Sequence, residues 1–374
     1  MNKAAQKIHG CLGESAILFP VLLLVGMGIV MVYSASAALA VTRFDNNLFY
    51  MQRQASFALL SLGVMFTTAL LPYRIFKVFA YFFMGLAVVL LVAVQVPGIG
   101  HSAGGACRWI ALAGFTFQPS EFTKLALVLF LAYSLSKKDD QEMIKDFSVG
   151  FMPHVILLVV LSILILLQPD FGTVMILGCI TWGMMFVAGV RLVHLLLPLP
   201  FLAPVAYFLV YRVDYRMDRI LAFMNPWDDP LNTGYQITHS LKAFGSGGIF
   251  GKGIGLGMQK LHYLPEPHTD FILSVIGEEL GLVGVLAILV LFCIILWRGS
   301  AIARKAPDLF GSLVAAGIII TLGLQVVINT GVAMGVLPTK GLTLPFLSYG
   351  GTSLIINMAF MGILMNIGAT VENG

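Results

Sequence analysis

Tyr263-Leu264-Pro265-Glu266-Pro267-His268-Thr269-Asp270-Phe271 closes a long polar segment and opens directly into an apolar run that continues to Trp297. Apart from Glu278 and Glu279, residues 271–297 carry no charge. A helix needs about 20 apolar residues to cross the hydrocarbon core, so this run reads as a membrane span with a carboxylate, Asp270, at its mouth. The polar segment before it, from Arg212 onward, is the one long polar stretch of the chain. It holds Arg212, Arg216, Arg219, Lys242, Lys252 and Lys260, the turn-rich Asn225-Pro226-Trp227-Asp228-Asp229-Pro230 and the glycine run Gly245 to Gly257. The remainder reads as a scaffold holding that segment at a membrane surface.

Outward from this stretch the pattern repeats. The chain is 59% hydrophobic and 11% charged, against roughly one-quarter charged in soluble domains. Ten apolar runs have spanning length, at 16–37, 53–71, 76–96, 119–136, 150–167, 171–189, 192–211, 271–297, 310–337 and 350–370. No ten-residue alternation suggests a barrel. The expected fold is an all-α polytopic membrane protein with about ten transmembrane helices. Residues 1–374 form a single membrane domain in this reading, with a long extracytoplasmic loop, 212–270, between helices 7 and 8.

Sidedness follows from the short loops. With a cytoplasmic N-terminus, the inner segments hold Lys3, Lys7, Arg74, Lys77, Lys137, Lys138, Lys145, Arg191, Arg298, Arg304 and Lys305, while the short outer loops hold Arg43, Arg53, Arg108 and Lys340. The bias places both termini inside and the long loop outside, since long segments translocate largely regardless of charge. The net charge of +4 reflects this sidedness and not nucleic-acid binding, for no basic patch is interleaved with aromatics. The first apolar run exceeds the 7–15 residues usual in a signal peptide and reads as an uncleaved helix. Cys11, Cys107, Cys179 and Cys293 fall at different depths and suggest no disulfide or metal spacing.

Taken in order, Arg108-Trp109 lies in an outer segment, with Trp109 an interfacial anchor. It is followed by Gln118-Pro119-Ser120-Glu121-Phe122-Thr123-Lys124. Glu121 and Lys124 are about 60° apart on a helix, so they form an ion pair or line an outward-facing cavity. In Gln168-Pro169-Asp170-Phe171-Gly172-Thr173, Asp170 either caps the next helix or pairs with Lys124. The run Lys137 to Glu142 reads as a solvated inner connector. Pro198, Pro200 and Pro204 predict a kinked seventh span.

The glycine-rich part of the long loop does not match a nucleotide-binding loop. Gly253 follows Gly251-Lys252 where Ser or Thr is required, and Ser246 stands where the leading Gly should be. Dense glycine instead suits tight, irregular backbone lying against protein at the membrane surface. His262, Glu266 and His268 have no recognised ligand spacing, so no transition-metal site is expected. Asp270 either caps the eighth span or acts as a base. Along that helix Glu278 lies about 80° round and roughly 12 Å deeper, with Glu279 nearly opposite Asp270, so the helix should border a polar cleft. The Pro- and Gly-rich segment Leu337 to Gly351 breaks the helix at membrane level, where backbone can line a cavity.

Together, Arg108-Trp109, Gln118-Pro119-Ser120-Glu121 with Lys124, Gln168-Pro169-Asp170-Phe171-Gly172-Thr173, the loop from Arg216 through Asn225-Pro226 to His268-Thr269-Asp270-Phe271, and Pro345-Phe346-Leu347-Ser348-Tyr349-Gly350-Gly351 resemble the SEDS family, the FtsW/RodA peptidoglycan glycosyltransferases. The likeness covers almost the whole chain. Gln259-Lys260 before Tyr263-Leu264-Pro265-Glu266, and Leu337 to Thr343, are similar to the cell-division branch; Ala113 and Thr352 depart from the usual Gly and Ser.

The resemblance implies polymerisation of lipid II on the outer face of the bacterial inner membrane, at the division septum. It assigns Asp270 to deprotonating the incoming sugar 4-hydroxyl, and Arg108, Lys124, Arg216, Arg219 and Lys340 to holding pyrophosphate. Glu121 and Asp170 would position Lys124 or line the cavity. A divalent cation, Mg or Mn, bridging the pyrophosphate is the one cofactor considered, and no dedicated ligand set for it is visible. Implied partners are a class B penicillin-binding transpeptidase and other divisome proteins. Three alternatives remain open at this point: an elongation-branch polymerase of the RodA kind, a lipid II flippase, and a non-catalytic division scaffold.

Overall fold

The computed structural model describes residues 14–103, 106–112, 115–137, 141–198, 200–201, 204, 207, 214–261 and 264–372. The chain is largely helical. Helices α1 (Ser15–Phe44), α2 (Phe49–Leu70) and α3 (Arg74–Ala93) precede strands β1 (Gly100–Ala103), β2 (Ala106–Leu112) and β3 (Phe115–Phe117). Then come α4 (Pro119–Ser136), the short α5 (Gln141–Lys145), a π-helical turn leading into α6 (Met152–Leu166), α7 (Phe171–Val187) and the short α8 (Leu192–Leu196). The long loop carries α9 (Asp214–Met224) and α10 (Tyr235–Gly247), and α11 (Ile272–Lys305), α12 (Leu309–Ala333) and α13 (Gly351–Glu372) complete the chain.

Six helices are long and apolar enough to cross a membrane: α1, α3, α6 with its preceding turn, α11, α12 and α13. Helices α2, α4 and α7 fall on three further expected spans. Of the expected seventh span, 192–211, only α8 and isolated residues lie within the described part.

The all-α expectation needs correction. Residues 100–117 form a three-stranded antiparallel sheet in the order β1-β2-β3, with Gly100 opposite Ile110 and Ile110 opposite Phe117. Two hairpins there pair strand edges that would otherwise leave unmet hydrogen-bonding groups beside the bundle.

Helix α4 runs through the middle of the bundle, with Leu127, Val128 and Leu129 fully buried. Close approach is achieved through small residues: a Cβ on Gly317 of α12 would meet Val128, and one on Gly351 of α13 would meet Phe57 of α2. At one end, Arg298 grips Glu14 through two hydrogen bonds of 2.8 and 3.0 Å, and the Tyr73 hydroxyl donates to Asp308 at 3.0 Å. Arg74, Arg304 and Lys305 crowd the same end, in keeping with the basic bias of the inner loops.

At the other end the long loop folds back onto α11. Ser240 of α10 meets Ser274 at 2.6 Å. Helix α11 is broken at Gly281, whose φ of 66° and ψ of −163° lie outside the helical region. The break exposes backbone groups, and the glycine-rich segment supplies their partners. Lys252 N donates to Glu278 O (3.0 Å), Gly253 N to Glu279 O (2.9 Å), Leu282 N to Gly248 O (3.0 Å) and Val283 N to Ile249 O (3.1 Å). Only glycine fits at Gly251: its φ is +79°, and a Cβ there would collide with Glu279 O. Dense glycine thus serves backbone-on-backbone packing, as irregular backbone at membrane depth requires.

Candidate active site

Asp270 sits just before α11 and does not cap it. The capping position is Phe271, with no side-chain cap bond. Its place is set instead by neighbours from α12 and the broken 337–350 segment. Asn329 donates through Nδ2 to Asp270 O (3.1 Å) and to Leu342 O (2.7 Å). Ser348 Oγ donates to Thr269 O (2.6 Å) while accepting from Leu344 N (2.8 Å), and Tyr349 N donates to His268 O (2.8 Å). The His268 ring lies against Tyr50 and Tyr349, with centroids 4.7 and 5.5 Å away. Three consecutive backbone carbonyls, of His268, Thr269 and Asp270, are therefore tied down, and the side chain points where they direct it.

That direction is a cavity of about 320 Å³, whose walls include Arg108, Asp170, Arg219, Asp270 and Lys340. Five of the eight residues singled out in the sequence are thus brought together from five separate stretches of chain. Arg108 reaches in from β2, where its Nε donates to Gln168 O (3.0 Å) and its Nη2 to Pro169 O (2.6 Å). Arg219 of α9 donates through Nη1 to Thr339 O (2.9 Å). Lys340 holds its ammonium 5.5 Å from the centre of the Phe171 ring. Gly341 lies opposite Asp270, where a Cβ would come within 3.2 Å of Asp270 Oδ2; a side chain there would crowd the carboxylate. Asp170 caps α7, accepting from Thr173 N (3.1 Å) and Thr173 Oγ1 (2.8 Å), and still lines the cavity.

Burial, reinforced by the nearby charge of Glu266, pushes the Asp270 carboxyl up from 3.8 to about 7; Arg219, the Thr269 hydroxyl and Arg108 pull the other way without cancelling it. Burial likewise lowers the Lys340 ammonium, against the opposing pull of Asp170. A carboxyl titrating near neutrality is suited to taking up a proton at physiological pH.

The other three residues fall elsewhere. Glu121 and Lys124 do not line this cavity. They pair with each other at 2.7 Å inside the bundle, with side chains 8% and 2% exposed. The ion-pair alternative holds: Lys124, expected to hold pyrophosphate, is buried against Glu121, and neither side chain lines the cavity. Asp170 shares the cavity wall with Lys340 and not with Lys124. The Arg216 side chain lies outside the described residues.

Asn329 escaped the sequence reading, although a carboxamide in an apolar span was a usable signal. Glu278 and Glu279 have a different role from the cleft border expected. Glu278 accepts from Lys252 Nζ (2.9 Å), Met258 N (2.9 Å) and Gln259 N (3.0 Å); Glu279 accepts from Lys260 Nζ (2.6 Å), Ser34 Oγ (2.7 Å) and Gly255 N (3.1 Å). Both carboxylates anchor the glycine-rich loop.

The donor set does not fit a resident metal. Among the described residues no three of His, Cys, Asp and Glu converge, and Asp170, one of the two carboxylates on the cavity wall, is already engaged by Thr173. What the site offers is a cationic wall for an anion and one carboxylate placed to accept a proton.

Residues 15–373 match the family model described as cell cycle protein, covering FtsW, RodA and SpoVE. The chain is 47% identical over 359 residues to the probable peptidoglycan glycosyltransferase FtsW of Geobacter sulfurreducens, covering 96% of each. It is 45% identical over 352 residues to the stage V sporulation protein E of Bacillus subtilis, covering 92% of this chain and 94% of that one. Among solved structures, a chain of a peptidoglycan synthase complex that coordinates polymerization and crosslinking superposes with a TM-score of 0.78 at 32% identity, over 96% of this chain and 98% of that one. The rod shape determining protein RodA of Thermus thermophilus superposes at 0.69 with 31% identity, over 94% and 95%.

Proposed function

We propose, from the premise that this chain belongs to the FtsW, RodA and SpoVE family of cell cycle proteins, that its peptidoglycan glycosyltransferase reaction takes place in the Asp270 cavity. The observation that carries this reading is a carboxyl held near pH 7 on the same wall as Arg108, Arg219 and Lys340.

The substrate is lipid II, a disaccharide peptide on a polyprenyl diphosphate. The Asp270 carboxylate takes the proton from the acceptor 4-hydroxyl as that oxygen bonds to the anomeric carbon of the donor sugar. The anomeric carbon–phosphate oxygen bond breaks, and the diphosphate departs with the electron pair. Glycoside hydrolysis needs a second carboxyl as general acid; here the leaving group is a stable anion, so cations replace the acid. Arg108 and Arg219 can engage phosphate oxygens in forked fashion, and Lys340 acts as a point charge. A divalent cation, if used, would enter with the diphosphate.

The cavity lies at the bundle end opposite the basic Arg74, Arg298, Arg304 and Lys305. With those on the cytoplasmic side, synthesis occurs on the outer face of the bacterial inner membrane. Relatedness to FtsW supports work at the division septum with divisome proteins. The solved synthase complex, which joins polymerization to crosslinking, supports pairing with a class B penicillin-binding transpeptidase. Purified protein given lipid II should yield glycan strands on a gel, and Asp270→Asn should yield none while remaining folded. Normal strands from that variant would remove Asp270 from the base role.

A further inference from the structure

A second cavity of about 560 Å³ adjoins the first, lined by residues of α9, the 231–233 turn, the start of α10, Pro265 and Thr339. Arg219 and Thr339 line both cavities, and the hydrogen bond between them makes the guanidinium part of a shared wall. The chemistry changes across that wall. On the Asp270 side stand two further cations, Arg108 and Lys340. On the far side, among the described residues, Arg219 is the only cation of the lining, and Asp218 opposes it.

The remaining described lining is neutral and hydrogen-bonding, with apolar patches. Asn232 Nδ2 and Thr233 Oγ1 are drawn onto Asp229 (3.0 and 3.2 Å), which orders the turn. The side chain of Gln236, in the first turn of α10, lines the cavity and makes no hydrogen bond among the described residues. Leu231 and Pro265 supply apolar surface. A diphosphate would meet Asp218 here; an uncharged sugar would find amides and a carboxylate for its hydroxyls and apolar surface for its C–H faces. The volume lies within the roughly 300–1,000 Å³ typical of small-molecule sites.

We infer that this second cavity seats the uncharged saccharide of the acceptor, presenting its hydroxyl past Arg219 to Asp270, while the first cavity receives the diphosphate. This rests on the reaction assigned above, and the test separates the two. A neutral β-1,4-linked N-acetylglucosamine tetramer serves as probe, its binding to the intact protein in detergent followed by saturation-transfer NMR.

The wild type should bind the tetramer. Gln236→Ala should weaken binding about fivefold to tenfold, as expected for a lost hydrogen bond, and raise the KM for lipid II by a similar factor with kcat little changed. Gln236→Trp, which fills the cavity, should abolish binding; should its unfolding midpoint fall, Gln236→Ala alone decides. Arg108→Ala and Asp270→Asn should bind the tetramer as the wild type does. Failure of the wild type to bind, undiminished binding by Gln236→Ala, or loss of binding in Arg108→Ala would each overturn the assignment. Polymerisation by Asp270→Asn would instead overturn the base role, leaving the saccharide result to stand separately.

Discussion

Asp270 and the Glu278–Glu279 pair stand eight and nine residues apart at one end of the same helix, and their surroundings are opposite. Glu278 and Glu279 are fully buried, and each meets a lysine and at least one backbone amide. Asp270 forms no ion pair among the described residues; its backbone is clamped while its carboxylate faces an open cationic cavity. Saturated carboxylates hold a fold together, and an unsaturated one on a rigid mount is available for chemistry. Acidic residues near a membrane surface are therefore better sorted by what already engages them than by their position along the helix.

Four experiments can break or sharpen that contrast. The largest effect is expected for Asp270→Asn, which should cut polymerisation by at least the ~10²–10⁴-fold typical of a lost general base. It should not lower the unfolding midpoint. Because burial holds this carboxyl near 7 against an ordinary 3.8, the folded state retains a proton that the unfolded chain releases between those values. The group's contribution to stability falls as pH rises from about 4 to 7, and the amide is free of that loss. Next comes Glu279→Ala, which strands Lys260 in a buried site and should cost about 3–5 kcal/mol, read by denaturation in detergent; an unaffected midpoint would mean the pair is not the anchor described. Third, kcat/KM should fall tenfold per pH unit below about 7 as Asp270 protonates, and a profile flat from pH 5 to 8 would contradict a base with this titration. The smallest effect is expected for Lys252→Met. Its side chain is 35% exposed, and solvent screening should hold the loss to under about 1 kcal/mol; a cost matching Glu279→Ala would erase the distinction between the two lysines.

The sequence was most readable where the physics is local. Apolar length predicted nine helices that the structure describes, because each span satisfies its own backbone. The Glu121–Lys124 pair and the Asp170 cap were legible as alternatives, being contacts between residues three apart. Long-range contacts were not. Ser34 meets Glu279 across 245 residues of chain, and nothing in the local pattern of either residue names the other. The glycine run was read correctly as tight backbone, but its partner, the break in α11 at Gly281, lies in a run whose hydropathy looks continuous. The sheet was missed because its strands are short and flank a helix-rich chain. The pair Gly104-Gly105 between residues of β1 and β2 was the available turn signal.

That small sheet bears on the cavity in a way its size conceals. Arg108 is the one cavity cation mounted on a strand, and neighbouring strand residues face opposite sides. A slip of one register step would swing the indole of Trp109 to where the guanidinium now stands and leave every membrane-crossing helix undisturbed. A protein with an intact bundle can therefore lose a cavity-facing charge through a frameshift in the pleat alone, which makes residues 106–112 a gauge of alignment for the whole cavity end of the bundle.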